Sequence, residues 1–317
     1  MMLGGKRILL GVTGSVAAYK AVQLASDLVK SGALVDVALT RGALEFLTPL
    51  AFRALTHRQV LTSMFDPNQP EALEHVTLAR EVDGVVVAAY PPVGPLRMLQ
   101  AVRHAGIPLA LAREVDLPME PSDDGGGLVA SVEVDFAAGA RMAVRHLLEL
   151  GHRRIAFLCG ANPPDRTRNP RYRGYCDALQ AAGLEVDPAL VFGRNAEESD
   201  SALQGYHGMR ELWARRTGMT AVVAYNDLIA MGVLAALHEA KVSVPGDVSV
   251  VSFDDIPLSA FTTPPLTTVH IPAYEQGVRL VNALTAVSRQ RRGLRDVLAT
   301  RLVVRGSTAP PAAPGGS

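Results

Sequence analysis

Short runs of hydrophobic residues alternate along this chain with longer segments in which hydrophobic residues recur at helical spacing. The runs predict strands at residues 6–12, 35–40, 82–89, 109–112, 154–159, 220–225 and 248–253. The spacing predicts helices at residues 16–30, 46–55, 137–150, 171–182, 201–216, 228–240 and 273–289. Strands separated by amphipathic helices are typical of parallel sheets covered on both faces. The pattern as a whole predicts about ten strands, which fit two sheets better than one.

Composition and charge exclude several classes of protein. Of the 317 residues, 48% are hydrophobic and 20% are charged, which is enough for a core and unlike a disordered chain. The formal net charge is zero, so the chain as a whole has no electrostatic attraction to nucleic acid or to anionic membranes. The hydrophobic run at residues 8–12 is too short for a membrane span or a secretion signal. No membrane contact is therefore predicted.

Cysteine and histidine usage points to a cytoplasmic protein without a metal site. Cys159 and Cys176 are the only cysteines, which fits a reducing compartment. The eight histidines include no Cys/His pair at the spacing of metal ligands.

Polar residues follow three of the predicted strands at the ends where ligands bind to parallel sheets. Tyr225 and Asn226 come directly after the apolar run 221–224 of one strand, and Asp254 comes directly after another strand. Arg171 opens a helix that follows a third strand and a long polar loop. A carboxylate accepts from two hydroxyls, an amide both donates and accepts, and a guanidinium donates as a fork. These groups suit a polyol or a polar metabolite, and Tyr225 and Phe136 offer aromatic surface for a sugar.

Each of these residues also has a structural alternative. Asn226 or Asp227 could cap the following helix, Asp254 with Asp255 could close a turn, and Arg171 could pair with a surface acid. Taken together, three polar groups at the carboxyl ends of strands favour a binding site. No nucleophile and base are paired among them, so we predict binding and assign no catalytic residue here.

Seven segments resemble the effector-binding core of the LacI/GalR repressors, which share the fold of the periplasmic sugar-binding proteins. They are VDGVVV at 82–87, GAR at 139–141, HLLELGHRRIAFL at 146–158, RYRGY at 171–175, AYNDLIAMG at 224–232, VPGDVSVVSFDD at 244–255 and PPLTTV at 264–269. The resemblance covers about residues 82–308. It implies an α/β fold with two doubly wound parallel-sheet lobes of the periplasmic-binding-protein type I architecture. It also implies that Arg171, Asn226 and Asp254 line the effector-binding cleft.

The chain departs from that family in two respects. The family begins with a helix-turn-helix and a hinge helix that bind an operator, whereas the first strand here is predicted from residue 6. We therefore expect a regulator's effector-binding domain that lacks a DNA-binding head and makes no DNA contact by itself. Phe136 stands where the family usually has Asn. The family forms dimers, which makes a homodimer a further expectation.

The first eighty residues resemble a different family, the FMN-dependent phosphopantothenoylcysteine decarboxylases. The matching segments are KRILLGVTGSVAAYK at 6–20, FLTPLAFRAL at 46–55, FDP at 65–67 and HVTLAR at 75–80. The resemblance implies an FMN site that includes Thr13, Gly14, Ser15 and Thr40, with His75 as the base. The flavin-binding loop and the substrate segment of that family have no counterpart. We therefore interpret His75 as inert and expect no cofactor, with FMN kept as the alternative.

These two resemblances predict a hybrid whose seam lies near residue 81. The first lobe is predicted to comprise residues 1–151, with a flavoprotein-like part at 1–80 and a repressor-like part at 82–151, together with 271–291. The second lobe is predicted to comprise 152–268 with 296–308, followed by a disordered tail at 309–317. The functional hypotheses are an effector-binding module, an inactive FMN flavoprotein, and a folded chimera with neither activity.

Overall fold

The chain folds into two compact units. The computed structural model describes residues 3–12, 19–44, 46–62, 82–88, 102, 105–114, 128–161, 169–194, 201–290 and 293–312. The first unit comprises Met1–Val134 and Pro272–Leu298, and the second comprises Asp135–Ile271 and Ala299–Ser317.

The first unit is built around a parallel sheet. Its described elements are β1 (Arg7–Val12), α1 (Tyr19–Lys30), β2 (Leu34–Leu39), α2 (Arg41–Leu44), α3 (Pro49–Thr56), β3 (Val60–Leu61), β4 (Gly84–Ala88), β5 (Leu109–Glu114), β6 (Val129–Val134), α8 (Ala273–Gln290) and β12 (Leu294–Leu298). The seven described strands run parallel in the order β12-β6-β5-β4-β1-β2-β3. Helix α3 begins at Pro49 and not at residue 46, because proline fits the first turn of a helix, where its missing N–H is not needed.

The pairing of β1 with β4 is the one that the hybrid hypothesis requires. Ile8 lies opposite Gly84, and the register continues to Val12 opposite Ala88. Strand β4 has its other edge on β5. The flavoprotein-like opening and the repressor-like continuation thus form neighbouring strands of one sheet.

The second unit contains a second parallel sheet. Its described elements are α4 (Phe136–Glu149), β7 (Ile155–Ala161), α5 (Pro170–Ala181), β8 (Val191–Arg194), α6 (Ser201–Ala214), β9 (Ala221–Ala224), α7 (Asp227–Glu239), β10 (Ser249–Asp254), β11 (Thr267–His270) and β13 (Arg301–Val303), with short 3-10 helices at Pro188–Leu190 and Pro257–Ala260. The six described strands follow the order β13-β11-β10-β9-β7-β8, and β13 alone among them is antiparallel. The two sheets confirm the predicted fold class.

The boundary between the units differs from the predicted one. The sequence analysis placed residues 135–151 in the first lobe, but α4 packs against α5 and belongs to the second unit. Gly174 allows this close contact, since a Cβ there would lie 2.3 Å from the Ala137 carbonyl oxygen. The other two boundaries fall at 271/272 and 298/299. Hydrophobic spacing predicts a helix but not which of two sheets the helix packs against.

The segment after Thr308 also differs from the prediction of a disordered tail at 309–317. The Ala309 carbonyl oxygen lies 2.8 Å from Nε2 of the buried His152, and the Ala309 N–H donates to Ser249 Oγ at 3.0 Å. His152 Nδ1 contacts Thr220 Oγ1 at 2.9 Å. Ala309 is therefore fixed to the sheet by hydrogen bonds. Residues 310–312 are also described, and residues 313–317 lie outside the described residues.

Helices α6 and α7 pack at an unusually short distance because glycines face the neighbouring backbone. A Cβ on Gly232 would lie 1.9 Å from the Ala202 carbonyl oxygen, and one on Gly205 would lie 2.0 Å from the Ile229 carbonyl oxygen. Behind this contact, the core of the second unit includes the fully buried Leu212. Glycine at these positions gives up helix propensity in exchange for close packing.

Both cysteines, Cys159 and Cys176, are buried. Across the described ranges, no helix combines the length and the hydropathy that crossing a membrane requires.

Gly232→Ala is expected to lower the free energy of unfolding by about 1–3 kcal/mol, because the added methyl would collide with backbone atoms that cannot move away. The matched control is Gly277→Ala in α8, where the nearest atom to a Cβ is 3.7 Å away at the end of the Leu24 side chain. That control is expected to stabilise by up to about 1 kcal/mol through helix propensity. Urea unfolding measures both values. Equal effects of the two changes would contradict the packing argument.

Stability is expected to fall in acid because of His152. Burial lowers the pKa of His152 from its ordinary value of 6.5, although its hydrogen bond to Ala309 acts in the opposite direction. The unfolded chain then takes up a proton near pH 6.5 that the folded chain does not. The free energy of unfolding therefore decreases as the pH drops below that value, by at most about 1.4 kcal/mol per pH unit for one histidine.

Unfolding with urea from about pH 5 to about pH 8 measures this slope. His152→Gln is expected to reduce the slope, and the remainder is assigned to His146, whose pKa burial also lowers. His207→Gln, at an exposed position on α6, serves as the control and is expected to leave the slope unchanged. A slope that His152→Gln does not alter would show that burial of His152 is not its source.

Candidate functional site

The predicted binding residues of the second unit lie at one edge of its sheet. Strands β7, β9 and β10 are parallel neighbours, so their carboxyl ends meet at that edge. Strand β7 pairs with β8 on one side and β9 on the other, which makes this the point where the sheet order reverses. Ligands of open α/β sheets bind at such reversal points.

Arg171 occupies this edge as the second residue of α5. The helix begins there because Asn169 Oδ1 accepts the Tyr172 N–H at 3.0 Å and Pro170 takes the first helical position. The Arg171 side chain is only 7% exposed. Helix α5 thus brings a buried cation to the carboxyl end of the sheet.

Aromatic rings surround the Arg171 guanidinium. Its central carbon lies 3.9 Å from the centre of the Phe136 ring, 4.3 Å from that of Tyr225 and 5.3 Å from that of Phe253. The faces of such rings attract a cation electrostatically, more strongly when water is excluded. Phe253 was not predicted as a site residue, because within an apolar strand its sequence position looks like core.

Asp254 supplies the negative charge of the site. Its Oδ1 lies 3.8 Å from an Arg171 terminal nitrogen, and its side chain is 10% exposed. The structure therefore brings together four of the five predicted effector-binding residues, namely Phe136, Arg171, Tyr225 and Asp254, around one ion pair. The structural alternative for Arg171, pairing with a surface acid, does not describe this buried arrangement.

Asp255 has a different role from Asp254. Its carboxylate accepts from Arg305 at 2.6 Å and contacts His270 Nδ1 at 2.9 Å. Burial would raise the pKa of Asp255, but the hydrogen bonds and charges of Arg305 and His270 outweigh it and hold the pKa below the ordinary value. The turn-closing alternative thus fits Asp255, which ties the end of β10 to β11 and to the chain after β13.

Asn226, the fifth predicted residue, caps α7. Its Oδ1 accepts the Ile229 N–H at 2.8 Å, which is the structural alternative for this residue. The Nδ2 group takes no part in that cap. Asn226 follows Tyr225 directly and therefore lies at the same sheet edge, where the residue is only 4% exposed.

Asp227 is the most connected carboxylate of this edge. It is fully buried and accepts hydrogen bonds from Ser252 Oγ, from Ser259 Oγ at 2.6 Å, from Thr268 Oγ1 at 2.7 Å and from the Ile256 N–H at 2.9 Å. Burial raises the pKa of Asp227, and these hydrogen bonds oppose the rise. From its sequence position, Asp227 is one of the polar groups at the end of a strand, with a helix cap as the alternative. Its hydroxyl partners could not be predicted, since they are up to 41 residues away.

The predicted FMN contacts lie almost entirely outside the described residues, which omit Thr13, Gly14, Ser15 and His75. Thr40 is described, and its hydroxyl oxygen accepts the Ala43 N–H at 3.3 Å at the start of α2. Of the four residues predicted to contact FMN, only Thr40 therefore lies in the part of the chain that the structure describes. In the same part of the chain, no group of three Asp, Glu, His or Cys side chains could hold a metal ion.

Comparison with known sequences finds two families along the chain. The profile of the family described as "Periplasmic binding protein-like domain" matches residues 144–308, more than half of the chain, and the profile described as "Flavoprotein" matches residues 1–91. The transcriptional regulator CelR of Thermobifida fusca is 34% identical over 75% of this chain and 66% of its own length. GalR of Escherichia coli is 34% identical over 57% of this chain. The chain spans only 52% of GalR, so it covers between half and two thirds of these relatives.

Comparison with solved structures gives the same result. A CelR–cellobiose complex superposes with a TM-score of 0.72 at 26% identity, covering 96% of this chain and 86% of that one. A putative LacI-family regulator from Sanguibacter keddieii gives 0.69 at 29% identity, covering 96% and 99%. The resemblance to the repressor core is therefore confirmed, and the profile match at residues 1–91 supports the coarser resemblance of the opening segment to flavoproteins. The chain belongs to the periplasmic binding protein-like domain family and shares its fold with LacI-family transcriptional regulators.

Proposed function

We propose that this chain is the effector-binding domain of a LacI/GalR-type regulator and binds a small polar molecule, of the sugar or polyol class, at the carboxyl edge of the second sheet. The observation that carries this proposal is the buried Arg171–Asp254 ion pair within a group of aromatic rings. The relative whose structure is a complex with cellobiose supports the class of ligand.

The chemistry of the site favours a neutral ligand with several hydroxyls. Asp254 offsets the charge of Arg171, so a carboxylate or phosphate ligand would meet no net positive charge from this pair. A hydroxyl can accept from the guanidinium and donate to the carboxylate at once. Asn226 Nδ2 would add a donor, and the ring face of Tyr225 or Phe136 would contact the apolar face of a sugar.

Binding without catalysis is the function that the relatives support. They are named as transcriptional regulators and not as enzymes. The homodimer that the family resemblance implies stays a prediction.

Binding is expected to raise the melting temperature of the protein when cellobiose or ribose is added, because a ligand that binds only the folded state stabilises it. Isothermal titration then gives the dissociation constant. Arg171→Lys keeps the charge opposite Asp254 but removes the flat fork of donors, so we expect the dissociation constant to rise about tenfold or more.

The matched control is Arg210→Lys on α6, where an exposed arginine lies over Tyr206 with 5.5 Å between its central carbon and the ring centre. This change removes an exposed arginine–tyrosine contact where Tyr206 meets Glu239, at the end of α7 opposite Asn226, and is expected to leave binding unchanged. If a panel of sugars, nucleosides and amino acids leaves the melting curve of the wild-type protein unaltered, the proposed function is wrong.

FMN binding by the first unit is the second candidate, and the "Flavoprotein" match at residues 1–91 favours it. When bound, FMN would give the protein the visible absorption and fluorescence of a flavin. Purified protein is dialysed against FMN, washed and examined for these bands, with Ser15→Ala as the test of the predicted FMN contact at Ser15. Bands that Ser15→Ala abolishes would support the candidate, and protein that stays colourless after dialysis would reject it.

A further inference from the structure

The backbone that carries Asp254 is in an uncommon conformation. Asp254 has a φ of 105° and Asp255 a φ of 54°, so two consecutive residues with side chains occupy the region that favours glycine. Such conformations persist only where the surrounding structure imposes them, and they concentrate at sites of function. Contacts with other residues must therefore hold the backbone in place before Asp254 and after Asp255.

The Asp227 carboxylate contacts the chain on both sides of the pair. On the side of β10 it accepts from Ser252 Oγ, two residues before Asp254. On the other side it accepts from the Ile256 N–H at 2.9 Å and from Ser259 Oγ at 2.6 Å, within the 3-10 segment that follows. Thr268 Oγ1, on the neighbouring strand β11, donates to the same carboxylate at 2.7 Å.

The two oxygens of Asp227 divide these contacts. Oδ1 accepts from Ser252 and Thr268, both on strands, and Oδ2 accepts from Ile256 and Ser259, both after the turn. One rigid, planar group thus fixes the distance between the end of β10 and the returning chain. Asp254 lies between these two points, with its carboxylate 3.8 Å from Arg171.

We propose that Asp227 is a positioning residue for effector binding: its carboxylate holds the Asp254–Asp255 turn in the one conformation that directs the Asp254 side chain to the Arg171 guanidinium. The inference rests on the proposed function, because it assigns Asp254 to the ligand site. Asp227 itself touches no ligand, since it is fully buried beneath the turn.

Asp227→Asn tests this role. An amide has no charge and only one acceptor oxygen, so the hydroxyls that face its NH2 group must accept instead of donate, and the charge-assisted bonds that hold the turn become weaker. The control is Leu212→Ala, which creates a cavity in the core of the same unit on α6, away from the turn. Urea is added to the more stable of the two variants until both have the same melting temperature. The two variants are then compared under these conditions.

The first measurement needs no ligand. The ¹³C signal of the Asp254 carboxylate, assigned with Asp254→Asn, reports on its contact with Arg171. We expect the signal to move in Asp227→Asn and to stay in place in Leu212→Ala. If Asp227→Asn does not fold, Ser259→Ala removes one contact to Oδ2 and is expected to move the signal in the same direction by less.

The second measurement is the dissociation constant of cellobiose. We expect Asp227→Asn to raise it about tenfold and Leu212→Ala to leave it within about twofold. An Asp254 signal that moves equally in both variants would overturn the inference, as would equal affinities. If the wild-type protein binds none of the panel, the proposed function fails, while the ligand-free signal still decides whether Asp227 positions Asp254.

Discussion

A single buried carboxylate, that of Asp227, holds together the carboxyl edge of the second sheet. Placing the Asp227 charge away from water is costly unless donors satisfy it, and three hydroxyls and one backbone N–H do so. The four donors come from three places along the chain: one lies on β10, one on β11 and two in the segment between them. Satisfying this one charge therefore requires these elements to meet in a single arrangement. The free-energy cost of burying the Asp227 charge is thus the reason that β10, β11 and the segment between them are held in one arrangement.

Arg171 faces the same physical problem with the opposite sign. The cation is almost completely buried, and the rings of Phe136, Tyr225 and Phe253 with the carboxylate of Asp254 replace the water that it loses. Rings contribute electrostatic attraction without using up hydrogen-bond donors. An arginine held in this way keeps its planar group of donors in one orientation. Little further side-chain entropy would then be lost when those donors form hydrogen bonds to a ligand. Phe136, where the repressor family usually has Asn, suits this role better than it suits direct hydrogen bonding to an effector.

The sequence predicts the sheets of this protein better than its boundaries and its buried charges. The runs of β-branched and leucine residues locate β1, β4, β7, β9 and β10, and the rule of carboxyl ends brings Arg171 and Asp254 together before any coordinates. Strand β6 was missed because Ser131 and Glu133 interrupt its apolar run. In the fold, that buried glutamate accepts from Ser131 at 2.9 Å and from Arg295 at 2.8 Å. Partners separated by 162 residues leave no local pattern, and the same holds for Asp227 and for His152 with Ala309.

The coexistence of two family resemblances in one sheet follows from how buried parallel strands pack. Both faces of such a strand are covered, so β1 and β4 present hydrophobic side chains on each face, as Leu9, Leu10, Val85 and Val86 do. The side chains of such a strand do little to select the strand beside it, so strands that resemble different families can be neighbours. The order of the strands is set instead by the right-handed crossover connections. Strand β1 lies within the segment that matches the flavoprotein profile and pairs in register with β4 at the end of that segment, and the other edge of β4 lies on β5. What distinguishes one family of this fold from another lies instead in the loops at the carboxyl ends of the strands. The fold can therefore accept an opening segment that resembles another family while the ion pair and the rings around Arg171 stay in place.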